Sequence, residues 1–421
     1  MNWKLKLGLA TTALLLGTAA LAQSKITLNV LIISGLEGIT QKVADQYMKE
    51  KPGVDIKLEV LPFDSLFQQI QVRLTGGATS PDALYVDGPV VASYGAQNFL
   101  APLDSYFSAR ELNDFLPAVR GTSFYGGKLL ATPVCSSSMM VYFNKDILKK
   151  QGIAFPSGDP KKRLTWEEFA KLAQQATIKD GTRVTSWGFT LQQPVAPYQI
   201  LPFVQSLGGK AIGDDGLTVK GIINSPEWIK GLEFYQSLFN ELGVSPKGNV
   251  DGWQLFESGK AAFFQGVTYF GSNPLPAQKA FAWGVMPNPY FAGGKPVTTT
   301  DCWHVGVNRR SANVAQAADF VKYLTNGKGQ DLFWQLGQLD PVLKRSANKV
   351  RYNSKYKDTA QKLAAIEAGT TAVSRPVTPG FNEYQDILTQ TFGNIRNGQA
   401  PKEALDAAAD QIDRAFAKYR K

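Results

Sequence analysis

From residue 26 the chain alternates between two hydrophobic patterns. ITLNVLII (26–33) is a nearly continuous apolar run, as expected of a strand buried on both faces. Residues 38–50 read as a helix, ended by Lys51-Pro52-Gly53. VDIKLEVLP (54–62) is a second strand. Leu66, Phe67, Ile70 and Leu74 then recur at helical spacing until Gly76-Gly77 stops them. DALYVD (82–87) is a third strand, and another helix runs toward Leu100. Strand–helix alternation predicts an α/β fold with a mainly parallel sheet flanked by helices. Ligands of such sheets sit beyond the carboxyl ends of the strands. Those ends are Ser34-Gly35-Leu36-Glu37 and Asp87-Gly88-Pro89.

The same grammar continues. Thr165-Trp166-Glu167-Glu168 is a capping box opening a helix. Val314, Ala317, Ala318, Val321 and Leu324 make one helical face. Pro401 starts a terminal helix with Leu405, Ala408, Ala409, Ile412 and Phe416 inward. PSGDPKKR (156–163) and NPYFAGGKP (288–296) carry loop or hairpin-tip signals. One stretch breaks the pattern. In TPVCSSSMMVYF (132–143) three serines follow a Pro and a Cys, directly before an apolar strand.

The N-terminus changes the compartment. Lys4 and Lys6 precede an apolar run from Leu7 to Ala20, and Ala20-Leu21-Ala22 reads as a small-residue cleavage site. Residues 1–22 are therefore expected to be a cleavable signal peptide, cut before Gln23. With no Cys at that site, a soluble periplasmic protein without a lipid anchor is expected. The remaining length suggests two domains. Removing Lys4 and Lys6 lowers the formal charge from +10 to +8. The basic residues are scattered, with KKR at 161–163 the longest cluster, so the charge reads as a solvated surface and not a nucleic-acid site.

Scarce residues bound the chemistry. His304 is the one histidine, and Cys135 and Cys302 are the two cysteines. A four-ligand His/Cys zinc site cannot be built from them. A nucleophilic triad would have to use His304, which reads as structural. Two-carboxylate catalysis stays open. No cofactor motif of the GxxxxGKS type is present.

Several stretches, taken in order, resemble the extracellular solute-binding proteins of bacterial ABC importers, in particular the maltodextrin-binding group. They are YGGKLLATPV (125–134), VYFNKDILKKQGI (141–153), TWEEFAKLAQQA (165–176), FESGKAAFFQG (256–266), SANVAQAADFVKYLT (311–325) and SRPVTPGFNEYQDIL (374–388). The resemblance implies two α/β lobes joined by hinge crossings, with a sugar held in the cleft between them. Lobe one would span 25–134 plus 303–357, and lobe two 135–302 plus 358–421, with crossings near 134, 302 and 357. It also implies a disulfide between Cys135 and Cys302 on neighbouring hinge strands.

The resemblance further implies a ligand set. Sugars need flat aromatic faces and polar groups for their hydroxyls. Glu37 and Asp87 follow lobe-one strands, where they suit either sugar hydroxyls or the positive end of a helix dipole. Ser136 and Ser137, with Ser138, would face the cleft floor or cap backbone groups. Gln192, Gln193 and Tyr198 fall where the family contacts sugar. Tyr269 or Phe270 would stack on it, Thr268 standing at the nearest family position. Asp301 and Trp303 flank Cys302, and Trp303 is the foremost stacking candidate. Arg375 and Tyr384 come from the last contact region, with Arg375 also suited to pairing a structural carboxylate. The implied function is a periplasmic receptor that delivers a neutral di- or oligosaccharide to ABC permease subunits, as a monomer and with no chemistry of its own. The alternatives are a receptor for a polyol phosphate or glycerophosphodiester, a glycosidase using two of Glu37, Asp87 and Asp301, and a sensor subunit docking to a membrane receptor.

Overall fold

The computed structural model describes residues 25–191, 197–248, 250–300, 303–337 and 339–420. The proposed signal peptide lies outside them. The three predicted opening strands form as Ile26–Ile33, Val54–Leu61 and Ala83–Asp87. Leu28, Val30, Leu31 and Ile32 are all fully buried, which is why their run shows no alternation. The helix Glu37–Glu50 follows the first strand and buries Thr40, Val43, Ala44 and Tyr47. The next helix, Phe63–Thr75, ends at Gly76 as expected.

Two five-stranded sheets organise the molecule. In the first, Val54–Leu61, Ile26–Ile33 and Ala83–Asp87 run parallel. Trp303–Val307 inserts antiparallel between Ala83–Asp87 and Ala131–Pro133. The second sheet holds, in order, Trp283–Pro287, Met139–Asn144, Ala261–Val267, Arg183–Leu191 and Ile178–Asp180. Only the pairing of Ala261–Val267 with Arg183–Leu191 is parallel there. The expectation of a mainly parallel sheet therefore holds for the first sheet and is corrected for the second. Met139–Asn144 and Trp283–Pro287 come from distant segments that enter its edge in opposite directions.

Each sheet carries its own core. The first gathers residues from Leu28 to Cys135 and from Val305 to Val350, with Ala365 and Phe381 added. The second gathers Val141 to Phe291 and Tyr384 to Phe416. It is rich in aromatics, with Trp166 4.4 Å from Phe203 and Phe169 5.0 Å from both Phe189 and Phe263. A third, smaller cluster around Phe264 and Phe270 covers the opposite face of the second sheet. The capping box at Thr165 and Glu168 is present, and all five predicted inward residues of the terminal helix are buried.

Two features sit between the cores. Thr298–Thr299 pairs with Ala372–Val373 in a short parallel sheet. Beside it, Arg163 pairs with Glu367 at 2.6 Å, with side chains 3% and 1% exposed. Thr298 and Thr371 donate to the same carboxylate at 2.5 Å each. A buried charge pair is tolerated when its spare lone pairs are satisfied in this way.

Candidate functional site

The first sheet presents one edge where several chain segments end together. Ile33 is in register with Leu61, and Trp303 with Asp87. Because Trp303–Val307 runs antiparallel, its first residue lies beside the last residue of Ala83–Asp87. Ser34 donates its N–H to Leu61 O at 2.9 Å and continues into Gly35, whose φ of +92° suits glycine. That turn delivers Glu37, exposed, to the first position of its helix, where its carboxylate accepts from the Gly35 N–H. Glu37 is thus engaged in its own loop.

Asp87 is brought to Arg375. The Arg375 Nη1 donates to Oδ1 at 2.8 Å and to Oδ2 at 3.0 Å, with side chains 11% and 16% exposed. The guanidinium lies 5.0 Å from the Tyr198 ring centre and 5.4 Å from that of Phe381. A guanidinium this close to an aromatic ring is attracted to it. Burial pushes the Tyr198 hydroxyl's pKa up, opposed by the Arg375 charge. Three predicted site residues thus converge, and Arg375 takes the structural-partner role open to it.

Trp303 completes an aromatic rim. Its ring stacks on Phe67, centres 6.1 Å apart and planes 18° apart, and meets Phe63 edge-on at 6.2 Å. Phe63 is 56% exposed. The first turns of the helix Phe63–Thr75 therefore lay two aromatic rings beside the strand edge. Sequence reasoning missed this pair. The available signal was an aromatic at i and i+4 directly after a strand end, hidden because Phe67 also fits the inward helical face.

The serines have a different answer. Ser136 Oγ lies 3.2 Å from Thr300 Oγ1, and Ser138 Oγ lies 3.0 Å from the same hydroxyl. Ser138 exchanges bonds with Thr268: its N–H donates to Thr268 Oγ1, and its carbonyl accepts from that hydroxyl. The triplet joins the strand end at Pro133 to the opening of Met139–Asn144, and its backbone groups are satisfied by the Asp340 carbonyl and the Thr268 and Thr300 hydroxyls in place of a sheet ladder. Ser136, fully engaged and 3% exposed, is corrected from ligand candidate to structural element. Ser137 is less buried as a residue, and its Oγ is buried without a hydrogen bond.

Two further candidates move into cores. Phe270 is 7% exposed and packs 4.7 Å from Trp253 and 4.9 Å from Phe264. Tyr269, 41% exposed, is the member of that pair that offers a face to solvent. Tyr384 is fully buried, its hydroxyl donating to Ala211 O at 2.6 Å. Phe270, offered with Tyr269 as the stacking residue, and Tyr384 adjoin the contact segments that the resemblance implies, but each points to the apolar side of its helix. His304 is structural, with Nε2 3.1 Å from Val119 O. Gln192, Gln193 and Asp301 lie outside the described residues, as does Cys302. Cys135 is buried, and no disulfide is seen among the described residues. Among them, too, no cluster has a metal-ligating composition, and no helix is long and apolar enough to cross a membrane.

With this geometry in place, comparison with known proteins is decisive about ancestry. Residues 34–331 match the model of the family described as "Bacterial extracellular solute-binding protein". The chain belongs to that family. A "Probable ABC transporter-binding protein" of Deinococcus radiodurans is 28% identical over 404 residues, covering 89% of each chain. The "sn-glycerol-3-phosphate-binding periplasmic protein UgpB" of Shigella flexneri is 22% identical over 443 residues, covering 97% of each. Among solved structures, maltose-bound MalE3 of T. maritima superposes with a TM-score of 0.76 at 22% identity, covering 93% of this chain and all of the other. The fold is therefore that of the two-lobed periplasmic binding proteins.

Proposed function

We propose that this chain is the periplasmic receptor of an ABC importer for a neutral di- or oligosaccharide. The aromatic rim carries the reading. Trp303, packed against Phe67 and Phe63, is the register partner of Asp87, at the sheet edge where α/β folds take ligands. Stacking faces beside a polar acceptor suit a sugar ring, whose C–H side is apolar and whose edge carries hydroxyls. Tyr269 and Tyr198 supply further surface from the second lobe. Lobe one is taken as 25–134 plus 303–357 and lobe two as 135–302 plus 358–421. The two separate cores support that division, with Ala365 and Phe381 reaching across to the first.

Ligand contacts to both lobes would favour the closed arrangement, because only differential affinity shifts such an equilibrium. The chain would then deliver its sugar to the permease as a soluble monomer and do no chemistry. Glu37 is occupied by its own loop and Asp87 by Arg375, so two of the three candidates for a glycosidase's pair of acids are engaged elsewhere.

A polyol-phosphate receptor is the second reading, favoured by the similarity to UgpB. Arg375 is the cation it would recruit, and that charge is already neutralised by Asp87. Thermal unfolding of residues 23–421, stripped of bound ligand by unfolding and refolding, separates the two. A ligand at 100 times its dissociation constant stabilises by about 2.7 kcal/mol. A melting shift with one class of sugar is expected. A shift with sn-glycerol 3-phosphate alone would overturn the sugar reading.

A further inference from the structure

Asp340 lies between the helices Lys328–Gly337 and Lys344–Tyr352, in a segment rooted in the first core. Val342 and Leu343 belong to that core, and Val342 O accepts from the Leu116 N–H at 2.8 Å. Asp340 O accepts from the Ser136 N–H at 3.1 Å, directly at a chain crossing between the sheets. The side chain faces the second sheet. Its polar neighbours there are the Thr268 hydroxyl and the Ser138 backbone.

Asp340 is 5% exposed, and the polar groups against its carboxyl, the Thr268 hydroxyl and the Ser138 backbone, are neutral. No cation faces it. The titratable side chain opposite is Tyr142, whose hydroxyl donates to Val267 O at 3.0 Å and accepts from the Gly271 N–H at 3.1 Å. On its own segment, Lys344 donates to Asn113 O and Arg345 pairs with Asp114 and Asp331. A carboxylate buried without a counter-ion is costly, so such a group keeps its proton.

We propose that closure of the two lobes is proton-linked through Asp340. The side chain is anchored in one lobe and covered by the other. Closing buries it as the neutral acid, and opening returns it to water, where it ionises. This rests on the lobe-closure reading above, and it adds that the open–closed balance carries a titrating group at its base. Burial raises the carboxyl well above the usual carboxylate range. The sign follows. The closed chain holds a proton that the open or unfolded chain releases, so the advantage of closure is full below the ordinary Asp range. It is lost as pH rises toward the buried value. One linked proton changes the closed–open ratio by up to tenfold per pH unit.

The test needs no sugar, so its outcome is independent of the ligand's identity. Small-angle X-ray scattering of residues 23–421 is recorded from pH 5 to pH 8.5 for the wild type and for Asp340→Asn, which mimics the neutral acid at every pH. The wild type is expected to expand as pH rises, while Asp340→Asn stays compact throughout. Urea unfolding over the same range supplies a second readout: wild-type stability falls relative to the variant as pH increases. Parallel profiles for the two proteins, in scattering and in stability, would overturn the proposal.

Discussion

Asp87 and Asp340 both lie on segments of the first core, one facing Arg375 and the other Thr268, yet they meet opposite fates. Asp87 stands at a strand end, accepts two hydrogen bonds from Arg375 and keeps a partly exposed position beside the aromatic rim. Asp340 stands in a connecting loop, is covered by Thr268 and Tyr142, and has no counter-charge among the described residues. The difference between them is one neighbour: a guanidinium pairs with the first carboxyl, and neutral groups cover the second. Asp87 has the Arg375 guanidinium against it, with the Tyr198 and Phe381 rings close to that cation, whereas at Asp340 burial is the leading influence, opposed by Thr268 and the Ser138 backbone.

The largest expected effect comes from making Asp87 resemble Asp340. Arg375→Ala leaves a mostly buried carboxylate without its partner, and urea unfolding should show a loss of about 3 kcal/mol at neutral pH. That loss should shrink as pH falls, because protonation relieves the unpaired charge. A loss that is independent of pH would break the comparison. Next in size is the rim beside Asp87. Trp303→Ala removes one stacking face, worth about 0.5–1.5 kcal/mol beyond burial, and calorimetric titration should show sugar affinity roughly three- to tenfold weaker. Tyr384→Phe is the control from the interior. Losing its bond to Ala211 O should cost about 1 kcal/mol in stability and leave sugar affinity unchanged. Tyr269→Ala should be the mildest for folding, within about 0.5 kcal/mol by thermal unfolding, because the ring is already 41% exposed.

Much of the frame was legible in the sequence, because hydrophobic periodicity and caps are local. The three opening strands, the Gly76 stop, the Thr165 capping box and the inward face of the terminal helix all follow from residues within a few positions of one another. Asp87 and Trp303 were legible as candidates because a strand end is also local. The pairing of Asp87 with Arg375, 288 positions away, needed the fold. Phe270 and Tyr384 show the limit from the other side. An aromatic in a contact segment has two faces of a helix to choose from, and the tertiary core chose for both. Asp340 was invisible for a related reason. QLGQLDPVLKR (335–345) reads as a polar loop, and nothing in it announces that the second sheet will cover the one carboxylate. The serine triplet lies between these cases. Its polarity signalled an exception, but Thr300 and Thr268, which engage Ser136 and Ser138, come from distant segments.

A crystal structure of residues 23–421 with the sugar that raises its melting temperature tests the central claim most directly. The account predicts a sugar ring against Trp303 and Phe67, with contacts to both lobes and the Asp87–Arg375 pair intact. A sugar bound away from that strand edge, or held by one lobe alone, would contradict it.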